Sequence, residues 1–254
     1  LTGNAGGAGA GDVVGIDEGS TDFVRVFWKA QELATDEAVI AWGDAGIQDF
    51  HNMNWTPDNP FLRGLYNRSL YQITLVNEFL RESTDAKLSS RGISGTDADQ
   101  IRAYRSEVRF LRAYQYWSLM DLFGNPAFTT EDNPIGGPLP TQIGRTALFN
   151  YIESELKAIE TILPQNRTIA YYGRATKGAA QALLARLYLN ANVYTGTAKN
   201  NEAVEYSKKV IDAGYGLLSD YRWLGLADNN VNNPEFIWTL NYDGINSRNF
   251  GGTT

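Results

Sequence analysis

The sequence predicts a mainly α protein: a scaffold of tetratricopeptide-like helical hairpins carrying long loops and a small β element. Three observations carry this. Several long segments place apolar residues at helical spacing, above all the arginine- and aromatic-rich run Arg105–Phe128. Prolines gather between these segments, with Pro126, Pro134, Pro138 and Pro140 inside one connection. One short run near the C-terminal end, Phe236–Leu240, is bounded by Asn233-Pro234 and Asp243-Gly244 and reads as a strand.

The elements follow in order. Residues 1–19 are glycine-rich and aperiodic, so a loop is expected. Residues 20–34 form a short helix capped by Ser20 or Thr21, with Phe23, Val26, Phe27 and Ala30 on one face. Residues 35–57 hold many turn formers and read as loops, with one short strand at Ala38–Trp42. Phe61–Arg81 is helical through Leu65, Leu70, Ile73, Val76 and Leu80, and 84–95 is a polar loop. Thr96 caps the next helix, whose first turn carries Asp97 and Asp99, where negative charge suits the helix dipole. This helix is apolar on several faces, with Val108, Leu111 and Leu122 on one and Phe110, Tyr114 and Trp117 on another. It therefore lies between other elements. Arg102, Arg105, Arg109 and Arg112 share a stripe, expected to be a solvated or ion-paired face. Gly124 and Pro126 end the helix. The proline-rich stretch 125–144 is a long surface connection. Helices at Thr146–Leu163, Ala175–Tyr194 and Asn201–Ala213 follow. The last two form a hairpin, with Ala179, Ala180, Ala182 and Ala185 facing Ala203, Tyr206, Val210 and Ile211.

Composition sets bounds. A chain of 254 residues that is 43% hydrophobic can bury a sizeable core. No apolar run is long enough for a membrane helix. The first residues lack a basic segment followed by an apolar one, so no signal peptide is expected in this chain. Leu1 in place of Met suggests a processed or excised piece. A net charge of −7 argues against nucleic acid and anionic membrane as partners. Absence of cysteine removes disulfides and thiolate chemistry, and a lone histidine, His51, leaves no multi-histidine metal site.

The residues leave several site readings open. Six tryptophans and fourteen tyrosines suit either interlocked helix cores or platforms for sugar rings, whose C–H faces stack on aromatics. Trp42, beside Gly43 and Asp44, is a core anchor or an exposed platform. Arg25 is a salt-bridge residue or a fork for vicinal hydroxyls. Phe250, between Asn249 and a Gly-Gly pair, is an exposed ring or part of a tight turn. The oxygen-rich run around Asp228 and Asn230 is a polar turn or a calcium site. Asn54-Trp55-Thr56, Asn67-Arg68-Ser69 and Asn166-Arg167-Thr168 match the N-glycosylation pattern only by coincidence.

An ordered series of segments resembles a known family. Glu107-Val108-Arg109-Phe110-Leu111-Arg112-Ala113 followed by Asp121-Leu122-Phe123-Gly124 is similar to the signature of the SusD/RagB proteins. The similarity continues through Gly173-Arg174-Ala175, Ala185–Ala191, Val193–Gly196, Thr35-Asp36-Glu37, Trp42 and Arg248–Gly252. These proteins are outer-membrane glycan-binding lipoproteins of Gram-negative bacteria. The resemblance implies a single domain over 1–254, matching the N-terminal and central parts of a longer family fold. It implies that the protein holds oligosaccharide at the cell surface, starch-like α-glucan or another glycan, for delivery to a TonB-dependent porin. No cleavage is implied, and the lipid anchor is expected outside this chain. Its aromatic-arc ligand site implies roles for Arg25, Trp42, Asp44, Asn249 and Phe250, with Ile40 and Ala45 replacing a tryptophan and an asparagine of the starch-binding pattern. Calcium near Asp228 and Asn230 is a further implication. Two other classes stay open: an α-helical glycoside hydrolase drawing two carboxylates from Asp17, Glu18, Asp36, Glu37 and Asp44, and a peptide-binding helical-repeat adaptor with a groove along its hairpins.

Overall fold

The computed structural model describes residues 22–165, 171–231 and 233–241. They group into two compact units: the described residues through Leu75 with Asn241, and Val76–Leu240. The first unit holds α1 (Phe23–Glu32), α2 (Gln48–Asn52) and most of α3 (Pro60–Glu82). The second takes the end of α3, then α4 (Asp85–Ser90), α5 (Gly95–Phe123), α6 (Arg145–Glu160), α7 (Lys177–Leu189), α8 (Ala191–Thr195), α9 (Asn200–Asp212) and a 3-10 turn at Tyr221–Gly225.

Local chemistry sets the helix starts. Asp22, not Ser20 or Thr21, caps α1 by accepting from the Arg25 amide at 3.2 Å. Asn59 caps α3 through its Oδ1, which accepts from the amides of Phe61 and Leu62 at 3.0 and 3.2 Å, with Pro60 in the first turn. Thr84 caps the short α4, where a loop was expected. Ser94 is the N-cap residue of α5, two positions before Thr96. That helix ends at Gly124, whose φ of +77° lies in the region that favours glycine.

In the second unit α5 packs on α6, α6 on α7 and α8, and α7 on α9. The inward stripe of α6, Leu148, Phe149, Ile152, Leu156 and Ile159, is fully buried, each side chain contributing about 1.5–3 kcal/mol by leaving water. Residues 115–120 of α5 are buried all round, as a helix enclosed by others requires. In the α7–α9 hairpin Ala179, Ala180, Ala203 and Tyr206 are buried as expected, but Ile211 is exposed.

The β expectations fail. Among the described residues neither Ala38–Trp42 nor Phe236–Leu240 forms a strand, and the β pairing is an isolated antiparallel bridge between Ala127 and Gln142. Phe236–Leu240 lacks a neighbouring strand; instead its Trp238 packs edge-on against Phe110 and Tyr114, at 5.2 and 5.1 Å.

The bridge belongs to the 125–144 connection, which folds back on the helices. The Phe128 and Ile143 amides donate across it to Thr141 and Pro126, both at 3.0 Å. The Tyr116 hydroxyl donates to the Thr129 carbonyl at 2.6 Å and accepts from its amide at 2.9 Å.

Three members of the arginine stripe are ion-paired, and one of these is buried. Arg112 is 2% exposed. It donates to Asn77 Oδ1 at 2.7 Å, to Glu155 at 2.9 Å and to Glu131. Arg109 grips the same Glu155 through both carboxylate oxygens, at 3.0 and 2.7 Å. Arg105 bonds the Leu80 carbonyl at 2.6 Å, and Arg102 bonds Asp85 at 2.9 Å and Asp99 at 2.7 Å. Burial alone would raise the Glu155 carboxyl, but Arg109 and Arg112 hold it below the usual range.

Stripping one partner from a buried ion cluster is costly, so Arg112→Met should lower the unfolding free energy by about 3–5 kcal/mol in chemical denaturation. A carboxylate whose folded pKa is depressed gives full stability at neutral pH and loses it as pH falls through that pKa. The gap between parent and variant should therefore narrow in acid.

Candidate functional site

The first unit brings three of the expected site residues to one place. The Arg25 guanidinium carbon lies 5.0 Å from the centroid of the Trp42 ring. Trp42 is 52% exposed, an unusual position for a residue that is normally well buried. The Lys29 ammonium stands 5.4 Å from the Trp42 ring and 5.0 Å from the Phe61 ring. Asp44 acts on Lys29 as an opposing charge. Cations over aromatic faces gain about 0.5–2 kcal/mol each, more when desolvated.

Helix periodicity aligns the two cations, since Arg25 and Lys29 are four apart on α1. Lys29 falls within the buried stripe of Phe23, Val26 and Leu33 and is itself 4% exposed. Burial, then repulsion from Arg25, pushes its pKa down to about 8, against the pull of Asp44.

The platform is held by amide side chains that composition and periodicity did not single out. Gln48 Nε2 donates to the Ile40 carbonyl at 2.9 Å and the Trp42 carbonyl at 3.0 Å, fixing the backbone that presents the ring. Asn59 Nδ2 donates to the Gly46 carbonyl at 2.8 Å and to Asp49 at 2.9 Å, while its Oδ1 caps α3. Gly46 has φ +85°, and a Cβ there would meet Asn59 Nδ2 at 2.9 Å. The site loop thus has no regular structure, yet both of its ends are anchored. One signal for Lys29 was present in sequence: a lysine inside an otherwise apolar helical stripe. Nothing marked Gln48, because its partners are loop carbonyls.

Ile40 and Ala45, at the two replaced positions, are half-buried and exposed. Asn249 and Phe250 lie outside the described residues. Asp228 and Asn230 lie in the second unit. There the Asp228 carbonyl accepts from the Val231 amide at 2.9 Å, and Asn229 Nδ2 donates to the Leu224 carbonyl at 2.7 Å. This is a self-bonded polar turn. Among the described residues no group of three histidine, cysteine or acidic side chains is placed to hold a metal ion, and no helix is long and apolar enough to cross a membrane.

The family described as "Starch-binding associating with outer membrane" matches residues 17–189. The starch-binding protein SusD of Bacteroides thetaiotaomicron is 38% identical over 258 residues, covering 100% of this chain and 44% of that protein. SusD-like protein P25 of Formosa agariphila is 28% identical over 165 residues, covering 62% of this chain and 30% of that one. Among solved structures, a laminarin-binding SusD-like protein superposes with a TM-score of 0.65 at 25% identity, over 82% of this chain and 44% of that one. A SusD superfamily protein from Parabacteroides distasonis gives 0.69 at 24% identity, over 85% and 45%. The chain spans less than half the length of the relatives it matches.

A buried ammonium whose folded pKa is lowered costs stability while charged. That cost is present below about pH 8 and fades as pH rises toward the ordinary lysine value. Lys29→Met should therefore be more stable than the parent near pH 7, by about 1–3 kcal/mol in thermal or chemical unfolding, and should lose that advantage by about pH 10. A pH-independent difference would show that the amine is solvated.

Proposed function

Since this chain belongs to the SusD-like family of starch-binding, outer-membrane-associating proteins, we propose that it binds a glycan at the bacterial cell surface without cleaving it. The observation that carries the reading is the half-exposed Trp42 ring under the Arg25 guanidinium, on a backbone fixed by Gln48. A pyranose stacks its C–H face on an indole, and a guanidinium fork bonds vicinal hydroxyls beside it. Fixing the ring before the ligand arrives removes an ordering cost from binding. Asn249 and Phe250 complete the contact set in this reading, and Asp44 serves as counter-charge to Lys29, not as a proton donor. Delivery to a TonB-dependent porin, and attachment to the membrane by a lipid anchor outside this chain, belong to the same proposal.

Hydrolysis needs a second carboxylate at a defined separation from the first. The half-exposed Trp42 ring with Arg25 over it suits orientation of hydroxyls better than acid–base work. Peptide binding along the hairpins would leave Trp42 without a role.

Calorimetric titration with maltohexaose, laminarihexaose and a panel of other glycans tests the reading, with reducing ends assayed afterwards. One or more glycans should bind without new reducing ends, and Trp42→Ala should weaken that binding by about tenfold or more, equivalent to about 1.4 kcal/mol. New reducing ends would establish a hydrolase. Gln48→Leu keeps the ring but frees its backbone, so it should weaken binding by about threefold to tenfold with little change in melting temperature.

A further inference from the structure

The second unit contains a cavity of about 400 Å³ lined by the turn at Tyr171–Thr176, by Asn230 and by residues 233–239, within the usual range for small-ligand sites of about 300–1,000 Å³. It is remote in sequence from Trp42. We propose that it is a second carbohydrate site, taking a neutral pyranose unit, independent of the platform at Trp42.

Its walls are aromatic and preset. Trp238 is clamped edge-on by Phe110 and Tyr114 at 5.2 and 5.1 Å. Tyr215 passes across α7 where that helix carries glycine: a Cβ on Gly178 would lie 2.2 Å from the Tyr215 hydroxyl. Tyr171 stacks under the Arg174 guanidinium at 5.0 Å, with Tyr104 against the same group at 5.2 Å. Rings held in this way offer apolar faces at little ordering cost.

The polar groups select the ligand's charge. Arg174 is the cation of the lining besides the neutral amides of Asn230 and Asn233. Its charge is already taken by Glu107, which it grips through both carboxylate oxygens, one at 3.1 Å. No surplus positive charge remains for a phosphate or carboxylate ligand. A molecule that is uncharged, rich in hydroxyls and apolar on one face fits this lining, and a pyranose is such a molecule.

Thr176 supplies the independent observation. It is the N-cap residue of α7 but makes no capping bond. The residue lines the cavity but is 4% exposed, and its Oγ1 is turned away from the open space, buried with no hydrogen-bond partner. A threonine in that position ordinarily bonds the helix amides. A buried hydroxyl left unpaired costs about 1–3 kcal/mol, a cost removed when the side chain turns its hydroxyl to a ligand in the cavity.

The test uses Trp42→Ala, so that the first site is silent and the two proposals fail separately. Maltotriose and laminaritriose are titrated by calorimetry and by saturation-transfer NMR, with adenosine as the aromatic counter-probe. Residual saturable trisaccharide binding is expected, weakened by about tenfold or more on adding Tyr172→Ala, which removes another ring of the cavity lining. Adding Thr176→Val should weaken it about threefold to tenfold while leaving the melting temperature equal or higher, since the variant buries a methyl in place of an unpaired hydroxyl. A purely structural threonine would not separate those two readouts. Absence of saturable binding in Trp42→Ala, binding indifferent to both added variants, or preference for adenosine over both trisaccharides would overturn the proposal.

Discussion

The second unit is organised around one buried guanidinium. Arg112 is enclosed among α5, α6, the end of α3 and the 125–144 connection, and it draws its partners from the last three: Glu155, Asn77 and Glu131. A buried cation needs opposing charge close by, because without it the charge sits in a poorly polarisable interior. The connection must therefore return to the helices, and its internal bonds follow from that demand. Arg81 donates to the Glu131 and Asn133 carbonyls at 3.2 and 3.1 Å, and Asn77 Nδ2 reaches the Thr129 carbonyl at 3.2 Å. Tyr116, Phe128 and Tyr151 pack together beneath it, with centroids 4.8–5.7 Å apart. A proline-rich stretch without regular strands or helices is thereby tied to the helices it joins.

The helices were the legible part of the fold. Pro60–Glu82, Gly95–Phe123, Arg145–Glu160, Lys177–Leu189 and Asn200–Asp212 announce themselves by apolar spacing and by terminal glycine or proline. What escaped depends on partners distant in sequence. Phe236–Leu240 carries strand-forming residues, but a strand needs a neighbour; its aromatic side chains are consumed as packing and cavity wall instead. The short α4 is polar and reads as a loop, although its Thr84 cap was visible. Arg112 reads like the other three arginines of its stripe, because burial is a property of what surrounds the helix.

The proposed ligand platform shows the same division. Spacing alone could not bring Arg25 to Trp42; only the resemblance joined them, and the structure sets them 5.0 Å apart. Lys29 and Gln48 act on Trp42 as directly as Arg25 does, one on the ring and one on the backbone. Neither belongs to a motif. Asn59 illustrates why: one side chain caps α3, holds Gly46 and bonds Asp49, three duties that no local pattern encodes. The aromatic proposed to touch the ligand leaves a trace in sequence, whereas the amides that steady it do not.

Tyr215 stands on the boundary of two hollows. It lines the 400 Å³ cavity on one side and, on the other, a smaller one of about 220 Å³ bordered by Gln181, Lys209 and Asp212. Its ring can lie there only because Gly178 has no side chain. Position 178 is thus a dial on both volumes at once: any larger residue evicts the tyrosine, and two chambers that evolution could otherwise tune separately must change together.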